Sequence, residues 1–262
     1  MTSKLAHLLP AACAALLVAC SGTPKDRTEN WTPDQLYSEA RSEIDAQNYE
    51  KAIPLLERLE GRAAGTILAQ QAQLDRAYIQ YRDGQRAEAI ATLDRFLMLH
   101  PTSEAADYAL YLKGLVNFNE QSGLFSLFQS RDLSERDQRA AKESFEAFKQ
   151  LVERFPDSRY APDARQRMIY IANALAAYEV HVARYYYSRG AYVAAISRAQ
   201  QAIQDYQDAP ALYEALQILE SSYDALGMTD LRDDARRVRE ASFPEGEPQA
   251  PEKPAAWWQI WR

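Results

Sequence analysis

Two cysteines, three histidines and 37 acidic side chains are the groups in this chain with the means for covalent, metal or acid–base chemistry. The histidines are His7, His100 and His181. Neither His100 nor His181 has a Cys or a carboxylate at metal-ligand spacing. No Gly-x-Ser-x-Gly elbow, phosphate-binding glycine loop or dinucleotide fingerprint occurs. The acidic residues are scattered along helical faces, where solvated surface is the default. His100 precedes Pro101, which suits a helix C-terminal group interacting with the dipole. The expectation is therefore no catalytic residue, no metal site and no cofactor. The thiols Cys13 and Cys20 remain.

Lys4, the apolar stretch Leu5–Ala19 and the small residues that close it describe a secretory signal over residues 1–19. Cys20 follows Leu17-Val18-Ala19 and precedes Ser21-Gly22, a pattern that resembles a lipobox. That resemblance implies cleavage after Ala19, a diacylglyceryl thioether on Cys20 and an acylated new N-terminus. Cys13 is a weaker lipid site, because only Leu5–Leu9 would serve as its apolar core. A plain signal cut elsewhere is the other alternative. A membrane-spanning helix needs about 20 apolar residues, whereas this stretch is 15 long and interrupted by Pro10. One acyl chain holds a protein only marginally, at about 0.8 kcal/mol per buried methylene. The three chains that a lipobox implies would make the anchor effectively permanent. Ser21, by resemblance to Gram-negative lipoproteins, suggests sorting to the outer membrane, with the chain facing the periplasm.

Formal charge is −7, and no basic block interrupts the acidic balance, so nucleic acid is a poor partner. Beyond Cys20 the mature chain has no Cys, which excludes disulfides in a compartment that permits them. Only nine Gly occur, Ala is abundant, and alternating strand patterns are absent. The chain is expected to be all-α.

Four parts follow in order: the signal 1–19, a polar tether 20–31, a helical domain 32–243 and a Pro-rich end 244–262. Thr32 suits an N-cap and Pro33 a first helical position. Within the domain one phrase recurs: a small residue and an apolar one, then apolar residues three and six further on. It occurs at Ala52-Ile53, Leu56, Leu59; at Ala89-Ile90, Leu93, Phe96; at Ser144-Phe145, Phe148, Leu151; and at Ala195-Ile196, Ala199, Ala202. A weaker fifth is Ala235 with Val238. The spacings are 37, 55, 51 and 40 residues. Turn-prone stretches precede the phrases, as at Gln47-Asn48, Asp83-Gly84, Arg189-Gly190 and Leu226-Gly227. Two phrases lead to Pro101-Thr102-Ser103 and Pro156-Asp157-Ser158, where Ser is placed to cap the next helix. The pattern resembles the tetratricopeptide repeat, whose period is about 34 residues. It predicts a superhelix of about five irregular helix pairs.

Between Gly114 and Ala141 lies the largest insertion, with Leu124, Phe125, Leu127 and Phe128 followed by a charged stretch. The end 244–262 is punctuated by four Pro and closes on Trp257-Trp258-Gln259-Ile260-Trp261-Arg262, which holds three of the four Trp in the chain. Docking on a partner, on the chain's own helices or at a membrane interface all fit. Stacked helix pairs offer a surface for extended or helical segments. Nine Tyr (78, 81, 108, 111, 170, 178, 185, 186 and 187) are mostly expected in packing between repeats.

A lipobox followed by such repeats resembles the BamD family of outer-membrane assembly lipoproteins. Local phrases carry the resemblance over roughly residues 13–240. They are Ala91-Thr92-Leu93-Asp94-Arg95-Phe96-Leu97 through His100-Pro101-Thr102, Tyr111-Leu112-Lys113-Gly114-Leu115-Val116-Asn117, Ser134-Glu135-Arg136-Asp137, Phe155-Pro156-Asp157-Ser158, and Tyr185-Tyr186 through Arg189-Gly190-Ala191-Tyr192-Val193-Ala194-Ala195. The resemblance implies a non-catalytic subunit of the β-barrel assembly machinery. It implies binding to BamA through the C-terminal half, contact with other subunits, and recognition of unfolded outer-membrane β-barrel proteins by the N-terminal repeats. Arg198 matches a family Arg and is the leading partner contact, with Tyr185 and Arg189 beside it and Trp257, Trp258 and Trp261 as further candidates. The family often ends its first repeat with Tyr-Pro and a second Tyr; here Arg62-Ala63-Ala64-Gly65-Thr66-Ile67 has neither. The alternative is a repeat lipoprotein that scaffolds peptidoglycan or other envelope enzymes.

Overall fold

The computed structural model describes residues 28–118 and 135–248. The signal, Cys20, the apolar part of the insertion and the Trp-rich end lie outside the described residues. Among those described, ten helices and no strand are found. They are α1 (Pro33–Asp45), α2 (Tyr49–Arg62), α3 (Ile67–Arg82), α4 (Arg86–Leu99), α5 (Ala106–Asn117), α6 (Glu135–Arg154), α7 (Ala161–Ser188), α8 (Tyr192–Asp205), α9 (Leu212–Ala225) and α10 (Thr229–Ser242). The all-α class is as expected. The chain divides into two compact units, residues 1–69 and 70–262.

One local rule makes the pairs. Gln47, Gly84, Gly190 and Gly227 lie in the left-handed region, at φ of 59°, 79°, 73° and 71°. The N–H of the following residue then reaches back five positions. Asn48 donates to the Glu43 carbonyl at 2.8 Å, Gln85 to Gln80 at 2.8 Å, Ala191 to Tyr186 at 3.0 Å and Met228 to Tyr223 at 2.9 Å. This is the Schellman closure, which satisfies the last carbonyls of one helix and reverses the chain into the next. Glycine adopts that conformation freely; Gln47 adopts it despite its Cβ.

The helix after each turn carries the recurring phrase on its inner face. Ala52, Leu56 and Leu59 of α2, Ala89, Leu93 and Phe96 of α4, and Ala195, Ala199 and Ala202 of α8 are all fully buried. Ser144, Phe148 and Leu151 of α6 are buried at the same spacing. The small first residue lets helices approach closely. At the α5–α6 crossing the Ser144 hydroxyl donates to the Gly114 carbonyl at 2.9 Å. A Cβ on Gly114 would collide with the Phe148 ring.

The fifth phrase takes a different register from the expected one. Counted from its Schellman turn, α10 sets Arg232, Arg236 and Arg239 where α8 has Ala195, Ala199 and Ala202. Ala235 is buried, but Val238 is 49% exposed. The arginines fit because α9 faces them with acids. Arg232 pairs with Asp224 at 2.9 Å, and Glu220 receives Arg236 at 2.7 Å and Arg239 at 3.0 Å.

Loops between pairs also share one form. His100, Phe155, Tyr206 and Phe243 each donate N–H to the carbonyl four back, and the residue three further on donates to their own carbonyl. Three of the four are followed by Pro, at Pro101, Pro156 and Pro244, and Tyr206 is not. Ser103 and Ser158 act two residues before the N-cap positions they were expected to fill. Their hydroxyls accept from the N–H of Ala105 and Tyr160, at 3.3 and 3.2 Å. Yet Ala105 and Tyr160 themselves occupy the N-cap positions of α5 and α7. The hydroxyl protons go back to the preceding odd helix, to Gln70 at 2.8 Å and Asp107 at 2.7 Å. Thr32 does cap α1, in a reciprocal box with Gln35. Within the stretch expected as tether, Thr28 is buried and accepts from Arg58. Arg62 holds the Trp31 and Glu29 carbonyls at 2.6 and 2.9 Å.

Candidate partner-binding surface

The α7–α8 hairpin gathers most of the expected contact residues that are described. Successive residues on a helix point about 100° apart, so a run of three Tyr cannot all face inward. Tyr186 packs against the core shared with α8 and α9. Tyr185 and Tyr187 on either side are exposed. The Arg189 guanidinium lies 5.2 Å from the centroid of the Tyr185 ring, a cation–π arrangement that holds both side chains. The Tyr187 ring stands 5.6 Å from Tyr192, and Val193 next to it is 72% exposed. Aromatic faces, a fixed cation and an aliphatic side chain thus meet at one turn.

Arg198 lies on α8 and reaches α7 elsewhere. Its Nη1 is 3.0 Å from Oε2 of Glu179, whose side chain is only 9% exposed while that of Arg198 is 44% exposed. A sunken carboxylate therefore orients a half-exposed guanidinium, whose planar fork of five N–H donors matches a carboxylate. Glu179 precedes Tyr185 by six residues, about 120° around α7. The structure so brings Tyr185 and Arg189 together and sets Arg198 on another part of the hairpin surface. Arg184 and Glu214 form a two-pronged pair that ties α7 to α9.

A second surface lies on the odd helices. A groove of about 520 Å³ is lined by Gln71, Asp75, Asp107, Tyr108, Arg159 and Tyr160 among others. The Tyr160 ring stacks on Tyr111 at 4.7 Å and lies 5.7 Å from Tyr108. Arg159 stands 4.7 Å from the same ring centroid. Burial, with help from Tyr160 and Asp75, pushes the Tyr108 hydroxyl up to about 12. Tyr111 is raised further, by burial and by its 2.8 Å hydrogen bond to Asp163. Asp163 in turn pairs with the buried Arg167 at 2.6 Å. The floor of the groove is thereby fixed, and its rim offers aromatic area flanked by charges of both signs. Tyr108 and Tyr111 are among the tyrosines legible in the sequence, and Arg159 and Tyr160 are not. The available signal was the repeat itself, since Ser158-Arg159-Tyr160 follows Pro156 in an inter-pair loop.

Among the described residues, no group of three or more His, Cys, Asp or Glu is placed to hold a metal, and no helix is long and apolar enough to cross a membrane. His100 ends α4, with its ring 5.2 Å from Phe96.

These features define an all-α helical-repeat protein with Schellman-closed pairs and, at the α7–α8 turn, exposed Tyr and Arg. The chain belongs to the family described as "Outer membrane lipoprotein" (YfiO), whose model matches residues 29–238. It is 43% identical to the "Outer membrane protein assembly factor BamD" of Neisseria meningitidis serogroup A, over 97% of this chain and 98% of that one. Its identity to the protein of the same name in Vibrio cholerae is 37%, over 82% and 89% of the two chains. Among solved structures, the MamA protein is similar at a TM-score of 0.38 and 16% identity, over 84% of this chain and 98% of that one.

Proposed function

We propose that this chain is a non-catalytic, lipid-anchored assembly factor for β-barrel proteins of the outer membrane, held there by Cys20 and facing the periplasm. The observation that carries the reading is the end-to-end likeness to proteins named as outer membrane protein assembly factors, at 43% identity. The surface chemistry supports it, because the described residues offer grooves and exposed aromatic–cation pairs suited to protein segments. BamA is the proposed partner of the C-terminal half. Arg198 donates to a BamA carboxylate, while Tyr185 and Arg189 supply a neighbouring patch. Unfolded outer-membrane proteins and the remaining machinery subunits complete the set of partners.

Affinity purification of the chain from native outer membranes tests the reading, and BamA should be recovered with it. Recovery of cell-wall enzymes alone would replace it with an envelope-enzyme scaffold. Cys20→Ala is expected to abolish acyl labelling and move the chain out of the membrane fraction. Labelling that persists would point to Cys13.

A further inference from the structure

Arginines that pair between helices α7 to α10 divide by which edge of the guanidinium they spend. The side-on edge, Nε with Nη2, carries two parallel N–H groups and can grip a carboxylate with both. Arg184 gives that edge to Glu214. Arg232 gives it to Asp233, and Arg236 and Arg239 give it to Glu220. Arg198 differs, because its one hydrogen bond runs from Nη1 to Oε2 of Glu179, at 3.0 Å. Of these five arginines, only Arg198 has a side-on edge that the described residues leave unspent.

Glu179 stands where an apolar residue would serve packing as well. It shares a face of α7 with Ala176, three residues before it, and Ala183, four after it, both fully buried. Among the described residues Arg198 is its only hydrogen-bond donor. A sunken ion pair contributes little net stability over apolar packing. What this pair supplies is aim. A long side chain with many rotamers is held at one end, while its side-on edge stays free and the side chain as a whole stays half-exposed.

We propose that Glu179 is a positioning residue for partner binding: it holds Nη1 of Arg198 so that the free Nε–Nη2 edge meets a carboxylate of the partner. The inference rests on the reading that BamA binds at Arg198, and adds the geometry of that contact and the residue that sets it. Glu179 is sunken and acts through Arg198. The group that fits the free edge is the carboxylate of an Asp or Glu, whose two oxygens take one N–H each. A neutral amide has one acceptor oxygen and would fill half of it.

Affinities of the full chain for purified BamA test it. Arg198→Ala should weaken binding about tenfold or more. Glu179→Gln keeps the size of the side chain and removes its charge. It should weaken binding about three- to tenfold, the cost of fixing a loosened side chain at an interface, while far-UV helicity and Tm stay as in the parent. In the Arg198→Ala background the same change should add no further loss, a non-additivity that a merely structural role would not produce. Arg198→Lys keeps the charge and can still pair with Glu179 but has no second edge, so it should recover little of what Arg198→Ala loses. Should Glu179→Gln lower Tm, Arg198→Lys carries the test, because its position is half-exposed. Binding that Glu179→Gln leaves intact or tightens, a loss that persists in the Arg198→Ala background, or full binding by Arg198→Lys would each overturn the proposal and leave Arg198 as the contact. If Arg198→Ala binds BamA as the parent does, the placement of BamA at Arg198 fails and the proposal falls with it.

Discussion

The α7–α8 and α9–α10 pairs are built on the same backbone and held by opposite chemistry. Both turn at a left-handed Gly, and both set three side chains of the second helix against the first. In α8 these are Ala195, Ala199 and Ala202, all fully buried. In α10 they are Arg232, Arg236 and Arg239, paired with Asp224 and Glu220. Facing them, α7 has the buried Ala183 where α9 has Glu220. The turn fixes which positions meet. Burial then decides what may stand there. At these three positions a helix flanked on both sides takes small apolar residues, because an ion pair there would be desolvated at high cost; the ion pair that α7 and α8 do share, Glu179 with Arg198, lies where the guanidinium is 44% exposed. In α10 the corresponding arginines and their acids stay partly solvated, at side-chain exposures from 17% for Glu220 to 63% for Asp224, and can pair.

Transplanting one chemistry into the other pair gives the largest expected effect. Ala195→Arg would bury an uncompensated charge against α7, and a loss of roughly 3–5 kcal/mol is expected in urea unfolding. A loss below 1 kcal/mol would mean that the pair can open to let the guanidinium out, and the contrast would fail. Next in size is Gly114→Ala at the α5–α6 crossing. Its Cβ would collide with Phe148, so a loss of roughly 1–3 kcal/mol is expected from overpacking. Gly61→Ala is the control, because its Cβ meets nothing within 4 Å. It should be neutral or slightly stabilising through helix propensity.

Smaller effects separate the two chemistries by pH and salt. Burial raises the Glu220 carboxyl, but hydrogen bonds from Arg236 and Arg239 outweigh that, and the net shift is downward. Its contribution is present above the ordinary carboxylate range and lost as pH falls through the folded value. Glu220 and Arg239 are half-buried, at 17% and 19% side-chain exposure, and Arg236 stands further out at 46%, so solvent screens part of the interaction and Glu220→Gln should cost about 1 kcal/mol. Acid, added salt or that variant should speed amide exchange in α10 before α8. The inner pairs should loosen at the other end of the scale. Burial, with help from neighbouring acids, lifts Tyr108 and Tyr206 from 10.0 to about 12. Their neutral forms stabilise the fold fully below pH 10, and that contribution is lost as pH rises from 10 to 12. Exchange in α10 that accelerates first at both extremes would remove the distinction.

What the sequence made visible followed the same division. Ala52, Ala89, Ser144 and Ala195 stood out because close packing demands small residues at a fixed offset from a turn, and all four are fully buried. The register of α10 was hidden for the complementary reason. A pattern sought in apolar residues settles on Ala235 and Val238 and passes over arginines, since long charged side chains are the commonest exposed residues on any helix. Tyr206 and Ala209 close an inter-pair loop without Pro, so only their hydrogen bonds reveal it. Arg159 and Tyr160 enter the groove because the loop after Pro156 folds onto α5; the repeat marks that loop in the sequence, but not the long-range contact it makes. Tyr185 and Arg189 were four residues apart on a helix and so legible as neighbours. The bond from Arg198 to Glu179, between different helices, was not.

The turns themselves offer the smallest effect and a sharp one, since the α1–α2 closure differs from the others in a single residue. Gln47 holds φ 59° where Gly84, Gly190 and Gly227 hold 71° to 79°. A Cβ on Gly190 meets nothing within 4 Å, so Gly190→Ala would cost only the left-handed backbone, about 1 kcal/mol. Gln47→Gly is the reverse change and removes the same strain. It also loosens the unfolded chain, which returns part of the gain. A net stabilisation of a few tenths of a kcal/mol up to about 1 kcal/mol is expected, read as a rise in Tm. If Gln47→Gly destabilises instead, the Gln side chain contributes contacts that outweigh its strain. The first turn would then be a specialised element rather than a costlier copy of the other three.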